Sequence, residues 1–400
     1  MYMKVLWFPG NGAIYSNDNK YNGGGWTGSL AREIRHTHPE IELGMAIPCR
    51  ESIKDDIDGI KIYGIPPIKH GFVNYSKKLS RQIILMKQII EDFKPDIIHV
   101  FGSEHTGGMV ATITDIPVVL HLQGILNFLK EAWLPQNMSW EKLILQHPKQ
   151  IFQRKGLIRA CETEKIILSH CHYFMGRTEM DSRVSRILSP RSEYYYCSEM
   201  LRPEIFNSTV EWSFHTRREK IVISIISSPS YKGGDVILRT AKILKEKLGL
   251  LFQWHVYGIT EMKDSVRLAN IKCNDVGVKC CGVINAKTLV EAITSADVFV
   301  HPSYIENSSN SVCEAQALGI PVIACYVGGI PSIISNEETG VMVPASDPYM
   351  MASYIAELSI NEEKAITMGA SGRTAALSRH NPNKIVNDVI NIYNEIVNHD

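Results

Sequence analysis

The stretch ADVFVHPSYIENSSNSVCEAQALGIPV, residues 296–322, decides how the rest of the chain is read. Its first ten residues are an apolar run of the kind a parallel strand needs when both its faces are buried. A helical pattern follows and ends at Gly319, as a helix would that packs back onto the sheet. Glu306 then lies in the loop at the strand's C-terminal end, and Glu314 in the first turns of the helix. In doubly wound α/β sheets this is the edge where ligands bind. Ser308, Ser309, Asn310 and Ser311 carry no bulk, so backbone N–H groups at the helix start can approach an anion closely.

Working outward, the same alternation fills the second half. Residues 221–226 (IVISII) predict a strand, SSPSYKGG a loop, 235–248 a helix, and 252–257 a strand ending at Gly258. A short strand over 278–281, a helix over 286–295 and the strand PVIACYVGGIP around Gly328-Gly329 complete a doubly wound unit. The first half reads likewise. Strands are predicted at 4–8, 41–47, 60–63, 96–102, 116–122, 172–176 and 194–197, with helices at 26–38, 77–93 and 179–188 and mostly helix over 127–169. Gly23, Gly24 and Gly25 end the first loop, where a ligand could meet backbone amides. Glu104 and His105 follow one strand at its cleft end, and Arg177 follows another. His121 and Gln123 lie two apart on a third and so share a side.

Asp56 and Asp58 spell D-x-D, a metal-binding triplet when it ends a buried strand. Here it precedes a strand within the charged run ESIKDDIDG, which predicts a solvated turn. Cys161, His170, Cys171 and His172 match no common metal spacing and read as packing residues.

The 400 residues exceed one ordinary core and suit two domains. A hydrophobic content of 44% and a charged content of 21% are those of a globular protein. A formal net charge of zero gives no global field to recruit nucleic acid. MYMKVLWFPGNG lacks the apolar core of a signal peptide, and no apolar run reaches the roughly 20 residues of a membrane span. Nine scattered cysteines without CxxC pairs predict reduced thiols and a cytoplasmic protein. Trp133, Trp140 and Phe152 among Lys142, Lys149, Arg154, Lys155 and Arg159 read as core plus solvated face. Peripheral docking on the inner face of an anionic membrane is the alternative for the same residues.

Glu306 and Glu314, with the preceding HPS, the following EAQALGIPV and GG, and the KGG at 232–234, resemble the E-x7-E signature of family 4 glycosyltransferases. The resemblance covers nearly all of the second half, and the first half through its pattern and scattered positions. It implies the GT-B fold, two Rossmann-like α/β domains facing a cleft. They are expected at 1–205 on the acceptor side and 206–381 on the nucleotide-sugar side, with a terminal helix at 382–400 crossing back to the first domain. The family's activity is transfer, with retention, from a nucleotide-sugar, here a UDP- or GDP-sugar, without a metal or cofactor. A saccharide or lipid-linked saccharide acceptor in bacterial surface polysaccharide assembly follows by analogy.

Site roles follow residue by residue. The resemblance gives Glu314 the ribose, Glu306 the sugar hydroxyls, the 307–311 backbone the diphosphate and sugar, and Lys232 the diphosphate. Gly23 and Gly24 would lie near phosphate and acceptor, with Gly258 and Val283 also on the donor side. The family's donor-facing histidine aligns with Gln123, while His121 stands two residues earlier, so either could face the donor. Ser227 and Ser228 occupy the region of an arginine that many members pair with the lysine. Arg177 either supplies that charge from across the cleft or sits in a structural ion pair. A nucleotide-sugar 2-epimerase and a non-catalytic donor-binding subunit fit the same architecture.

Overall fold

Apolar runs of four to eight residues, separated by amphipathic helices, demand sheets covered on both faces, and the chain builds two of them. The computed structural model describes residues 2–10, 25–50, 53–68, 74–134, 139–146, 148–227 and 230–399. The first sheet comprises β1 (Met3–Phe8), β2 (Ile41–Pro48), β3 (Lys54–Ile57), β4 (Ile60–Ile65), β5 (Ile97–Phe101), β6 (Val118–His121), β7 (Tyr173–Gly176) and β8 (Glu193–Tyr196). Its order is β3-β4-β2-β1-β5-β6-β7-β8, parallel except for the edge pair β3–β4. The second comprises β9 (Lys220–Ile225), β10 (Phe252–Tyr257), β11 (Val278–Gly282), β12 (Val298–His301), β13 (Val322–Cys325) and β14 (Val341–Val343), in the order β11-β10-β9-β12-β13-β14. Each sheet separates two buried apolar clusters.

Two departures from the sequence reading have simple causes. The D-x-D segment is a β-hairpin, with Asp56 on β3 opposite Lys61 and a turn at Asp58-Gly59. Both turn residues have positive φ, 54° and 75°, the twist a two-residue hairpin loop needs and an Asp-Gly pair supplies. Leu201 and Ile205, assigned above to the first domain, pack against the second sheet beside Ile223 and Phe299.

The helix Pro382–His399 returns to the first sheet, where Ile385, Val389, Tyr393 and Ile396 join the cluster around Trp7 and Met45. Its anchor is polar as well as apolar: Trp7 Nε1 donates to the Tyr393 hydroxyl at 3.0 Å, and that hydroxyl is 2.5 Å from His99 Nδ1. Where this return crosses the outgoing connection, His380 Nδ1 donates to the Glu199 carbonyl at 2.6 Å. The helices Pro348–Ile360 and Glu362–Arg379 and strand β14 have no counterpart in the sequence reading.

Candidate active site between the two sheets

In the second sheet β9 and β12 are neighbours, with β10 and β11 beyond one and β13 and β14 beyond the other. Connections leave this pair in opposite directions, so no helix covers the gap at their C-terminal ends and a crevice opens there. Lys232, in the turn after β9, and Glu306, in the loop after β12, meet in it, with Nζ 2.7 Å from Oε2. His301, the last residue of β12, lies with Nε2 at 2.9 Å from the same oxygen. A carboxylate only accepts, so Nε2 carries the proton. Burial alone would raise the Glu306 pKa, but the Lys232 charge and the His301 bond overcome it and hold the carboxyl at about 2. Glu306 is thus a fixed anion. Both bonds fall on Oε2.

Two glycines let these loops touch. A Cβ on Gly233 would stand 2.0 Å from the Pro302 carbonyl oxygen, and one on Gly328 would stand 1.6 Å from that of Glu306. Both have positive φ. KGG packs under HPS, and GG under the start of the E-x7-E segment.

The helix Asn310–Leu318 begins at the same crevice with Ser309 as its N-cap. Ser308, Ser309, Asn310 and Ser311 all line the cleft, and the buried Ser308 hydroxyl has no hydrogen-bond partner among the described residues. Glu314 is not among the residues that line the cleft. It turns away toward the connection between domains, where Arg202 holds both its oxygens.

The first domain supplies the facing wall of a cleft of about 990 Å³. Gly10, Trp26, Thr27, His105, Gln123 and Arg177 lie on it, opposite Gly258, Val283, Lys232 and Glu306. Of the two candidates on β6 and beyond, only Gln123 reaches this wall. His121 is the last residue of the strand proper and fully buried, its ring 4.9 Å from Trp26 and 5.5 Å from His99. Burial, aided by the Arg177 charge, drives its pKa down to about 3, so it is a neutral core imidazole. The shared side inferred from alternation ends with the strand, because Gln123 already belongs to the loop.

Arg177 does reach across, donating to Asn310 Oδ1 at 2.9 Å and to the Ser308 carbonyl at 2.6 Å. It arrives paired with the buried Glu199, so much of its charge is balanced before any ligand enters. Gly23, Gly24 and Ser228 lie outside the described residues. Among the described residues no cluster of metal-ligating side chains occurs. His301, Trp26, Glu199 and Arg202 were given no role from the sequence. Only His301 left a local signal there, as the final residue of an apolar strand.

Residues 211–375 match the family described as Glycosyl transferases group 1. This glycosyl transferases group 1 segment holds Lys232, His301, Glu306 and Glu314, whereas Arg177, Gln123 and Arg202 lie outside it. The chain is 23% identical over 295 residues to 2-deoxystreptamine N-acetyl-D-glucosaminyltransferase from Niallia circulans, covering 68% of this chain and 75% of the relative. It is 24% identical over 189 residues to the amylovoran biosynthesis glycosyltransferase AmsK from Erwinia amylovora, spanning 45% and 46%. The fold is that of sucrose-phosphate synthase from Thermosynechococcus elongatus, with a TM-score of 0.77, 16% identity and 100% of both chains covered. Anabaena HepE, solved with UDP and glucose, superposes with a TM-score of 0.64 at 14% identity over 98% of this chain and 99% of that one.

Proposed function

We propose that the chain is a family 4 type glycosyltransferase that acts with retention and without a metal, moving a sugar from a UDP- or GDP-sugar to a saccharide or lipid-linked saccharide. The observation that carries this reading is the Lys232–Glu306–His301 cluster beside the open N-terminus of the helix Asn310–Leu318. As the bond from the anomeric carbon to the diphosphate breaks, negative charge grows on the leaving group. Lys232 and the backbone amides at the helix start are the donors fixed beside that position, and one such donor is worth about 3 kcal/mol of barrier. Glu306 Oε1, on which neither bond falls, accepts from the sugar's hydroxyls. The new bond forms from the acceptor oxygen, whose proton passes to the leaving diphosphate.

HepE holds UDP and glucose on the same fold, which supports a nucleotide-sugar donor. AmsK serves amylovoran biosynthesis, which supports a place in bacterial surface polysaccharide assembly. Leu145, Ile151, Phe152 and Ile158 are exposed near Arg154 and Lys155, which supports peripheral contact with an anionic membrane. No described helix is long and apolar enough to cross one.

The test is a hydrolysis screen across UDP-, GDP- and ADP-sugars, repeated with Glu306→Gln. One donor hydrolysed by the native chain and spared by the variant supports the reading. Hydrolysis of none, or equal hydrolysis by both proteins, contradicts it.

A further inference from the structure

The first sheet has a switch point of its own between β1 and β5, and a second cavity opens there. It measures about 310 Å³, within the range of ligand pockets, and Gly10 and His105 line both it and the cleft. Its walls are largely apolar, with Phe8, Ile65, Met86 and Phe101 among them. The described lining contains no lysine or arginine.

Two polar groups in it have an oxygen that no described side chain donates to. Gln82 is 7% exposed, and its amide donates through Nε2 to the Pro66 carbonyl at 3.0 Å, which fixes Oε1 as the remaining atom. That oxygen is buried without a partner. Glu104 is the other. Its carboxyl lies against two residues without side chains: a Cβ on Gly102 would stand 2.4 Å from Oε2, and one on Gly124 would stand 2.6 Å from Oε1. The fold leaves room for this carboxyl, which accepts from the backbone of Ser103 and Glu104 but from no described side chain. The other acids near it have side-chain partners: Glu164 accepts from Ser103, Asn127 and the backbone of Leu126, and Glu199 forms an ion pair with Arg177.

We propose that this cavity is an acceptor subsite for a ring bearing a protonated amine, recognised by Glu104 and Gln82; the assignment to an acceptor rests on the transferase reading above. Gln82 Oε1 and the ionised Glu104 carboxylate both accept, which suits a ligand that brings donors, and an ammonium brings three with a charge. A phosphorylated ring would place its anion against Glu104 with no lysine or arginine of the described lining to balance it.

The groups facing Glu104 agree. Burial, reinforced by the charges of Glu164 and Glu199, pushes its carboxyl up to about 8. Burial moves His105 the opposite way, so it stays neutral and adds no positive charge. Tyr231 faces it from the second domain, its own pKa also raised by burial. At neutral pH the empty cavity therefore holds a largely protonated Glu104. When the ammonium enters with its three protons, the carboxyl O–H gives its proton to solvent and the ion pair forms.

Isothermal titration of the full chain at pH 7 tests this, with glucosamine against glucose, scyllo-inosamine against scyllo-inositol, and glucose 6-phosphate. Two buffers of different ionisation enthalpy count protons, and UDP is titrated separately. The expected result is amine binding about tenfold tighter than its hydroxyl counterpart, with net proton release. Glu104→Gln, an isosteric change, and Gly124→Ala, which displaces the carboxyl, should each abolish the preference while leaving UDP binding unchanged. Equal binding of amine and hydroxyl rings, an unaltered preference in both variants, tightest binding of glucose 6-phosphate, or no binding of any ring overturns the proposal. Failure of UDP to bind while the amine preference persists counts against the transferase reading and leaves the amine site standing.

Discussion

Arg202 grips Glu314 with both arms, Nε to Oε1 and Nη2 to Oε2, each at 2.7 Å. The pair ties the connection between domains to the helix that opens on the cleft.

Breaking it from one side strands a mostly buried carboxylate. Arg202→Met should lower unfolding free energy in urea by about 3 kcal/mol. The double variant with Glu314→Gln should lose clearly less than the sum of the two single changes, since neither charge is then left alone. Additive losses would show that the pair contributes nothing as a pair.

Glu306 predicts an acid limb. Its folded carboxyl sits at about 2 against an ordinary 4.5, so the unfolded chain binds the proton more readily. The stabilisation is present above pH 4.5 and is lost as pH falls toward 2, about 3 kcal/mol in all. Denaturation curves of Glu306→Gln across that window should fall less steeply than those of the native chain.

His121 and Gln123 should separate cleanly. His121→Ala opens a cavity among Trp26, His99 and Phe101 and should cost about 3 kcal/mol by chemical denaturation, with UDP affinity unchanged. Gln123→Ala, on the cleft wall, should leave stability within about 0.5 kcal/mol and weaken donor use instead.

Tyr393 tests the returning helix. Tyr393→Phe leaves the buried Trp7 Nε1 and His99 Nδ1 without their partner and should destabilise by about 2 kcal/mol. Loss confined to the first domain, read by hydrogen exchange at β1 and β5, would locate the effect.

Residues 296–322 alone carried most of the architecture and half of the site. An apolar strand long enough to be buried on both faces, followed by a helix, can be satisfied only in a covered parallel sheet, and local period is enough to see it. Glu306 was legible because it lies in the loop after an apolar strand, so chain order sets which sheet edge it reaches, and Lys232 through the resemblance its KGG carries. The terminal helix was legible for a similar reason, as one more amphipathic segment after a proline break.

What surrounds those residues was not legible, because it is set by segments far apart in the chain. Arg202 meets Glu314 from 112 positions away, and Arg177 meets Ser308 from 131. The burial of His121 depends on where β6 stops and on Trp26 packing over it, neither of which alternation encodes. Glu104 reads as one more loop acid until Gly102 and Gly124 close around it. By itself the sequence determined two sheets, their order of construction and the acids at their edges, since periodicity and loop position are local properties. Tertiary structure alone decided which of those charges are balanced and which still await a partner, because desolvation and pairing depend on what the folded chain brings within a few ångströms.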